Sequence, residues 1–94
     1  MNKKRLKKIR KYQDKVNWTN ISYGYSLSES FIREFKDKVS WDAISYYQIL
    51  SESFIREFKN KVNWIAISQY QTVTENFIKE FQYKINTQQL INQL

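Results

Sequence analysis

The sequence predicts an all-α protein, a short α-solenoid of helix-turn-helix repeats, and three observations carry that prediction. The first is self-similarity at a fixed period. Residues 16–38 read VNWTNISYGYSLSESFIREFKDK, residues 39–61 read VSWDAISYYQILSESFIREFKNK, and residues 62–84 read VNWIAISQYQTVTENFIKEFQYK. Aligned without gaps, the first two units agree at 16 of 23 positions and the second and third at 13 of 23. The second observation is that each unit holds two helix starts of one design, a capping residue flanked by an apolar pair. The third is that the helices so delimited are short. Isolated short helices are marginal in water, so the units must stack to cover their apolar faces, which is the logic of a solenoid.

The elements follow in chain order. At about 100° per residue, Leu6, Ile9, Tyr12 and Val16 share one side of a head helix over 3–14 that caps the array. Ile9, Arg10, Tyr12, Asp14 and Lys15 also fall in register with Ile32, Arg33, Phe35, Asp37 and Lys38, so the head is a partial unit. In each full unit a helix A (18–25 in the first) starts at Asn17, Ser40 or Asn63. Val16, Val39 and Val62 staple to Ile21, Ile44 and Ile67 across these caps. A helix B (29–37 in the first) starts at Ser28, Ser51 or Thr74, with Leu27/Ile32, Leu50/Ile55 and Val73/Ile78 as staples. The full capping box is absent, because its Glu position holds Phe31, Phe54 or Phe77. Ile85, Asn86 and Leu90 restart the register, which predicts a tail helix over 86–93 and eight helices in all. One domain is expected, with a head at 1–15, three repeats at 16–38, 39–61 and 62–84, and a half-repeat at 85–94.

Charge divides along the same boundary. The chain of 94 residues has a formal net charge of +7, and residues 1–15 supply all of it, with eight basic side chains against Asp14 alone. The rest is neutral. The basic stretch is not a secretory signal, since no apolar run of roughly 7–15 residues follows it. Without an export signal, a membrane-length span or a cysteine, the expectation is a cytoplasmic protein that does not enter a membrane.

Composition excludes much chemistry. There is no His, Cys or Pro, and Gly24 is the only glycine, so imidazole bases, thiol nucleophiles and Gly-rich phosphate loops are out of reach. No cofactor, no metal and no enzymatic activity are expected. Six of the nine acids read as i,i+4 helix-surface partners: Glu29–Arg33, Glu52–Arg56, Glu75–Lys79, Glu34–Lys38, Glu57–Lys61 and Glu80–Lys84. Trp18, Trp41 and Trp64 follow each cap directly and read as core or half-core residues rather than base-stacking platforms. Ser22, Ser45 and Ser68 have no activating base and read as small residues between close helices.

Function is expected where the units differ, because the shared positions record what stacking requires. The variable columns include Tyr23/Tyr46/Gln69, Gly24/Tyr47/Tyr70, Tyr25/Gln48/Gln71 and Ser26/Ile49/Thr72, most of them on helix A or the A–B turn. They make a nearly uncharged edge whose candidate binding residues are Tyr23, Tyr25, Tyr46, Tyr47 and Tyr70. Tyrosine suits interfaces because it offers area at low rotamer entropy. On the head, Lys3, Lys4, Lys7, Lys8, Arg10, Lys11 and Lys15 line the side opposite the apolar stripe, a candidate contact for phosphates or an acidic protein. Arg5 lies nearer the apolar side.

The pattern N/S-W-x-x-I-S, then L-S-E-x-F-I-x-E-F-x-x-K, at this period resembles a tandem repeat of proteins from giant DNA viruses, phages and some bacteria. It covers residues 16–84, with ten positions identical in all three units. The resemblance brings no catalytic or binding residues with it; it implies a viral or mobile-element setting, in which small proteins without enzyme motifs often inhibit host defence, anti-CRISPR proteins among them. The expected function is therefore a non-enzymatic inhibitor that docks on a host defence nucleoprotein. The alternative is direct binding of RNA or single-stranded DNA through the basic helix.

Overall fold

The computed structural model describes residues 1–85, and among them the only regular structure is helical. Seven helices follow one another: α1 (Lys3–Lys11), α2 (Trp18–Gly24), α3 (Glu29–Glu34), α4 (Trp41–Tyr47), α5 (Glu52–Glu57), α6 (Trp64–Tyr70) and α7 (Glu75–Glu80). α2, α4 and α6 are the A helices; α3, α5 and α7 are the B helices. The tail helix expected at 86–93 lies outside the described residues.

Each predicted cap closes its helix. The side chains of Asn17, Ser40 and Asn63 accept the backbone N–H of Asn20, Ala43 and Ala66, and those of Ser28, Ser51 and Thr74 accept from Phe31, Phe54 and Phe77. Each cap thus satisfies one of the orphan donors of a helix start. The B helices end earlier than their pattern suggests. Phe35 leaves the helical region at φ −108° and ψ 31°. Its carbonyl then accepts from both Lys38 and Val39. This tight turn delivers Val39 to the core as the next staple residue, and the same turn recurs at Phe58 and Phe81.

Packing follows the period. Ile32, Ile44, Ile55 and Ile67 are wholly buried, and Phe54 and Phe77 nearly so. The A helices stack in a row, α2 on α4 and α4 on α6, giving a body of 42 × 20 × 20 Å. Each tryptophan is half-buried, its ring 4.9–5.0 Å from Phe35, Phe58 or Phe81 of its own unit. Its indole N–H donates to the carbonyl of Gln13, Lys36 or Lys59 in the preceding turn, at 2.8–2.9 Å. One side chain therefore joins two units, by ring packing on one and a hydrogen bond to the other.

The serine column does more than save space. Ser22 Oγ donates to the Trp18 carbonyl and accepts the backbone N–H of Ser40 at 2.9 Å. Ser45 repeats this with Trp41 and Asn63. A buried hydroxyl thereby ties each of these A helices to the capping residue of the next.

Two expectations need correction. Tyr12 does not join the apolar side of α1: the helix stops at Lys11, Tyr12 is exposed, and Ile9 alone of that stripe is fully buried. None of the six expected i,i+4 ion pairs forms among the described residues; Arg33 and Arg56 pair between units instead, because stacking brings the following B helix closer to each than its own upstream acid. Arg10, Arg33 and Arg56 grip Glu34, Glu57 and Glu80 in two-point pairs of 2.7–2.9 Å. Glu29 and Glu52 reach forward to the caps of the next B helices, Ser51 and Thr74. Lys38 pairs with Asp14 and Lys61 with Asp37.

Candidate functional site

The fold sorts the side chains into two unlike faces. The B helices, ESFIRE, ESFIRE and ENFIKE, carry an ionic ladder that connects successive units. The A helices, WTNISYG, WDAISYY and WIAISQY, contain a single charged residue, Asp42, which accepts from the Asn63 side chain at 3.0 Å. Most charge on the B face is thus turned inward upon the array itself, whereas the A face is neutral and aromatic.

The ladder has an electrostatic signature. Hydrogen bonds from Arg10, Arg33 and Arg56 hold the carboxyls of Glu34, Glu57 and Glu80 below their ordinary value, and the same bonds raise the arginines. A carboxyl whose folded value is depressed stabilises the fold above its ordinary range and loses that contribution as pH falls through the folded value. The melting temperature is therefore expected to be flat near neutrality and to fall as pH drops below about 4. High salt should flatten the decline, since all three pairs are exposed. Thermal melts across pH in low and high salt check this; a melting temperature that does not drop in acid would remove the ladder from the stability of the array.

On α1 the residues Lys3, Lys4, Lys7, Lys8, Arg10 and Lys11 are all exposed, as their helical spacing predicts; Lys15, expected on the same helical face, is exposed too but lies in the turn after α1, because the helix stops at Lys11. Arg10 differs from the rest, being engaged by Glu34 as the first rung of the ladder. The six lysines make no ion pair among the described residues. Asn2, Lys4, Arg5 and Lys8 line a small notch of about 150 Å³. Arg5 links this notch to the aromatic edge, its guanidinium lying 4.8 Å from the centre of the Tyr25 ring.

The tyrosines form a connected row. Tyr23 and Tyr47 have ring centres 5.8 Å apart, Tyr47 and Tyr46 6.4 Å, and Tyr46 and Tyr70 5.2 Å. Tyr46 is half-buried, while Tyr23, Tyr47 and Tyr70 are exposed, Tyr47 at 68%. Reading tyrosine alone misses Ile49, which is 95% exposed beside them and stands where the other units have Ser26 and Thr72. An isoleucine in a polar turn column was the available signal. Between the first two A–B turns lies an open groove of about 340 Å³ lined by Tyr23, Gly24, Tyr25, Tyr47, Gln48 and Ile49 among others.

One variable column serves the architecture rather than a partner. Gln48 is 6% exposed; its side-chain carbonyl accepts from Leu27 N–H at 2.9 Å, and its amide donates to the carbonyls of Ser22 and Tyr25. Gln71 repeats this one unit on, with Leu50, Ser45 and Gln48. Each glutamine thus reaches back to satisfy the A–B turn before it. In the first unit the same register holds Tyr25, whose ring meets Arg5 of α1 instead.

Among the described residues there is no cluster of His, Cys, Asp or Glu able to hold a metal ion, and no helix long and apolar enough to cross a membrane. Compared with known proteins, the chain matches no family model, no curated protein and no solved structure, so the functional reading rests on its own residues.

Proposed function

We propose that this is a non-enzymatic binding protein whose neutral A face docks on a partner protein while the basic head meets an acidic or phosphate-bearing groove. The observation that carries the reading is the separation of charge: three A helices with Asp42 as their one charged side chain, beside a head segment whose six lysines, five of them on α1, make no ion pair among the described residues. Exposed rings without charge make area-rich contacts, and a basic face accelerates encounter with an acidic one. With the viral setting that the repeat resembles, the concrete form of the proposal is an inhibitor of a host defence nucleoprotein, anti-CRISPR-like, occluding its nucleic-acid channel.

Capture from host lysate with and without nuclease tests it. Lys4→Glu, Lys7→Glu, Lys8→Glu and Lys11→Glu together are expected to weaken capture of the partner by about a hundredfold while leaving helical content intact, since none of these side chains enters the core. Tyr47→Ala with Tyr70→Ala should weaken it comparably. Unchanged capture by the first variant sinks the role of the head, and by the second that of the tyrosine edge.

A second reading, direct binding of single-stranded nucleic acid, is favoured by one contact, Arg5 over Tyr25 beside Lys4 and Lys8, which pairs cations with a ring. Retention of an oligonucleotide over a salt series would support it, and no retention even at low salt would dispose of it.

A further inference from the structure

The Gly24/Tyr47/Tyr70 column of rings has one gap. Gly24 occupies the register of Tyr47 and Tyr70, and a Cβ placed there would meet nothing within 4 Å. The groove between the first two A–B turns opens where that ring is lacking, walled by Tyr23, Tyr25, Tyr47 and Ile49. We propose that this groove binds a proline-rich segment in the polyproline II conformation, with an acidic residue at the end that meets Arg5. The inference rests on the reading of the tyrosine edge as the docking face and names the chemistry of what docks there.

Three features select this ligand. The first is the hydrogen bonding of the groove floor. Gln48 already satisfies the Leu27 N–H and the Ser22 and Tyr25 carbonyls, so these groups are not open to an added β-strand. The groove still offers the ring faces and phenol hydroxyls of Tyr23, Tyr25 and Tyr47, beside Ser26 and Ile49. A proline-rich chain presents carbonyls that accept from phenols and has few N–H groups needing partners. Its conformation is also formed before binding, which lowers the entropy lost on an open, shallow surface.

The second feature is spacing. Polyproline II advances about 3.1 Å per residue with three residues per turn, or about 9 Å per turn. Packed helices lie about 8–10 Å apart, and α2, α4 and α6 are packed in a row. A ligand lying along that row therefore presents an equivalent residue to each unit, first at the Tyr23–Tyr47 pair and next at Tyr46–Tyr70.

Charge is the third. The A helices offer no cation, and their single acid is held by Asn63. A nucleic-acid strand along this face would bring a phosphate per residue to a surface without counter-charge, whereas a proline run brings none. At the head end Arg5 stands over Tyr25, with Lys4 and Lys8 adjoining, which places a carboxylate of the ligand there.

The test is an NMR titration of the whole chain with a peptide of two glutamates followed by about nine prolines, three turns of the ligand. Comparison probes are the same peptide with lysines for glutamates and a single-stranded oligothymidine. The peptide is expected to shift the signals of Tyr23, Gly24 and Tyr47. A Cβ at Gly24 meets nothing within 4 Å, so Gly24→Tyr should place a ring in the gap and weaken the peptide at least about tenfold with no loss of thermal stability. Tyr47→Ala should weaken it to a similar degree, and exchanging the glutamates for lysines should weaken it severalfold. A peptide that leaves these signals unmoved, an oligothymidine that moves them in its place, or full affinity in Gly24→Tyr overturns the proposal. The docking-face reading is judged separately by capture with the Tyr47→Ala, Tyr70→Ala variant, so the two can fail independently.

Discussion

Replacing Phe54 by alanine is expected to lower the unfolding free energy by about 3–5 kcal/mol, the range for removing a buried aromatic ring. Phe54 is 1% exposed and sits in the middle unit. Its ring centre lies 4.7 Å from that of Phe58 and 6.2 Å from that of Trp41, whose indole donates to the Lys36 carbonyl of the unit before. The cavity therefore opens beneath the residue that joins two units. Small domains have only about 5–15 kcal/mol of stability in total, so this variant should populate unfolded chain under native conditions. Because a repeat array is stabilised through nearest neighbours, the loss falls on the units either side of α5 as well. Urea titration followed by far-ultraviolet circular dichroism measures it. A loss under about 1 kcal/mol would mean that the phenylalanine pair does not form the packed centre described above.

Gln48→Leu is expected to cost about 3 kcal/mol although it keeps the volume and removes a polar atom from the core. The reason is that three partners are left behind: the Leu27 N–H and the carbonyls of Ser22 and Tyr25 lose the side chain that satisfies them. A buried group without a partner costs about 1–3 kcal/mol, while a hydrophobic replacement recovers only a part through burial. Gln69→Ala is the control, since Gln69 is exposed on the same face and should change stability by less than about 0.5 kcal/mol. If the two substitutions cost the same, the glutamine bridge is not what holds the A–B turn. The contrast also separates architecture from docking, because Gln48 and Gln69 sit in columns two positions apart that both vary among the units.

These glutamines show where a sequence of repeats stops being informative. The column Tyr25, Gln48 and Gln71 varies between units, and variation looks like adaptation to a partner; in space the glutamines face inward across a unit boundary, and Tyr25 meets Arg5 of the head. The acids show the same limit. Glu29 stands four residues before Arg33, a spacing that suits a helix surface, and Glu57 stands twenty-four residues after it, one period and one residue on. In a repeating chain both partners recur at every unit, and spacing alone does not choose between them. Only the stacking distance does, and it favours the forward pair with its two-point geometry.

What the sequence by itself determined was the local structure: six caps, the staples, the short helices between them, the tryptophan register, and the confinement of net charge to residues 1–15. Those features act within a few residues of one another, and the period writes each of them out three times. Tertiary structure alone decided that Arg10 belongs to the ladder and not to the free basic face, that Tyr12 lies outside the core, that Ser22 and Gln48 bind successive units together, and that Gly24 opens a groove in the row of tyrosines. Apart from Tyr12, which is left out because α1 ends at Lys11, each of these depends on which groups stacking brings within hydrogen-bond or ring-contact range across 18 to 26 residues of chain, a distance over which side-chain periodicity carries no information.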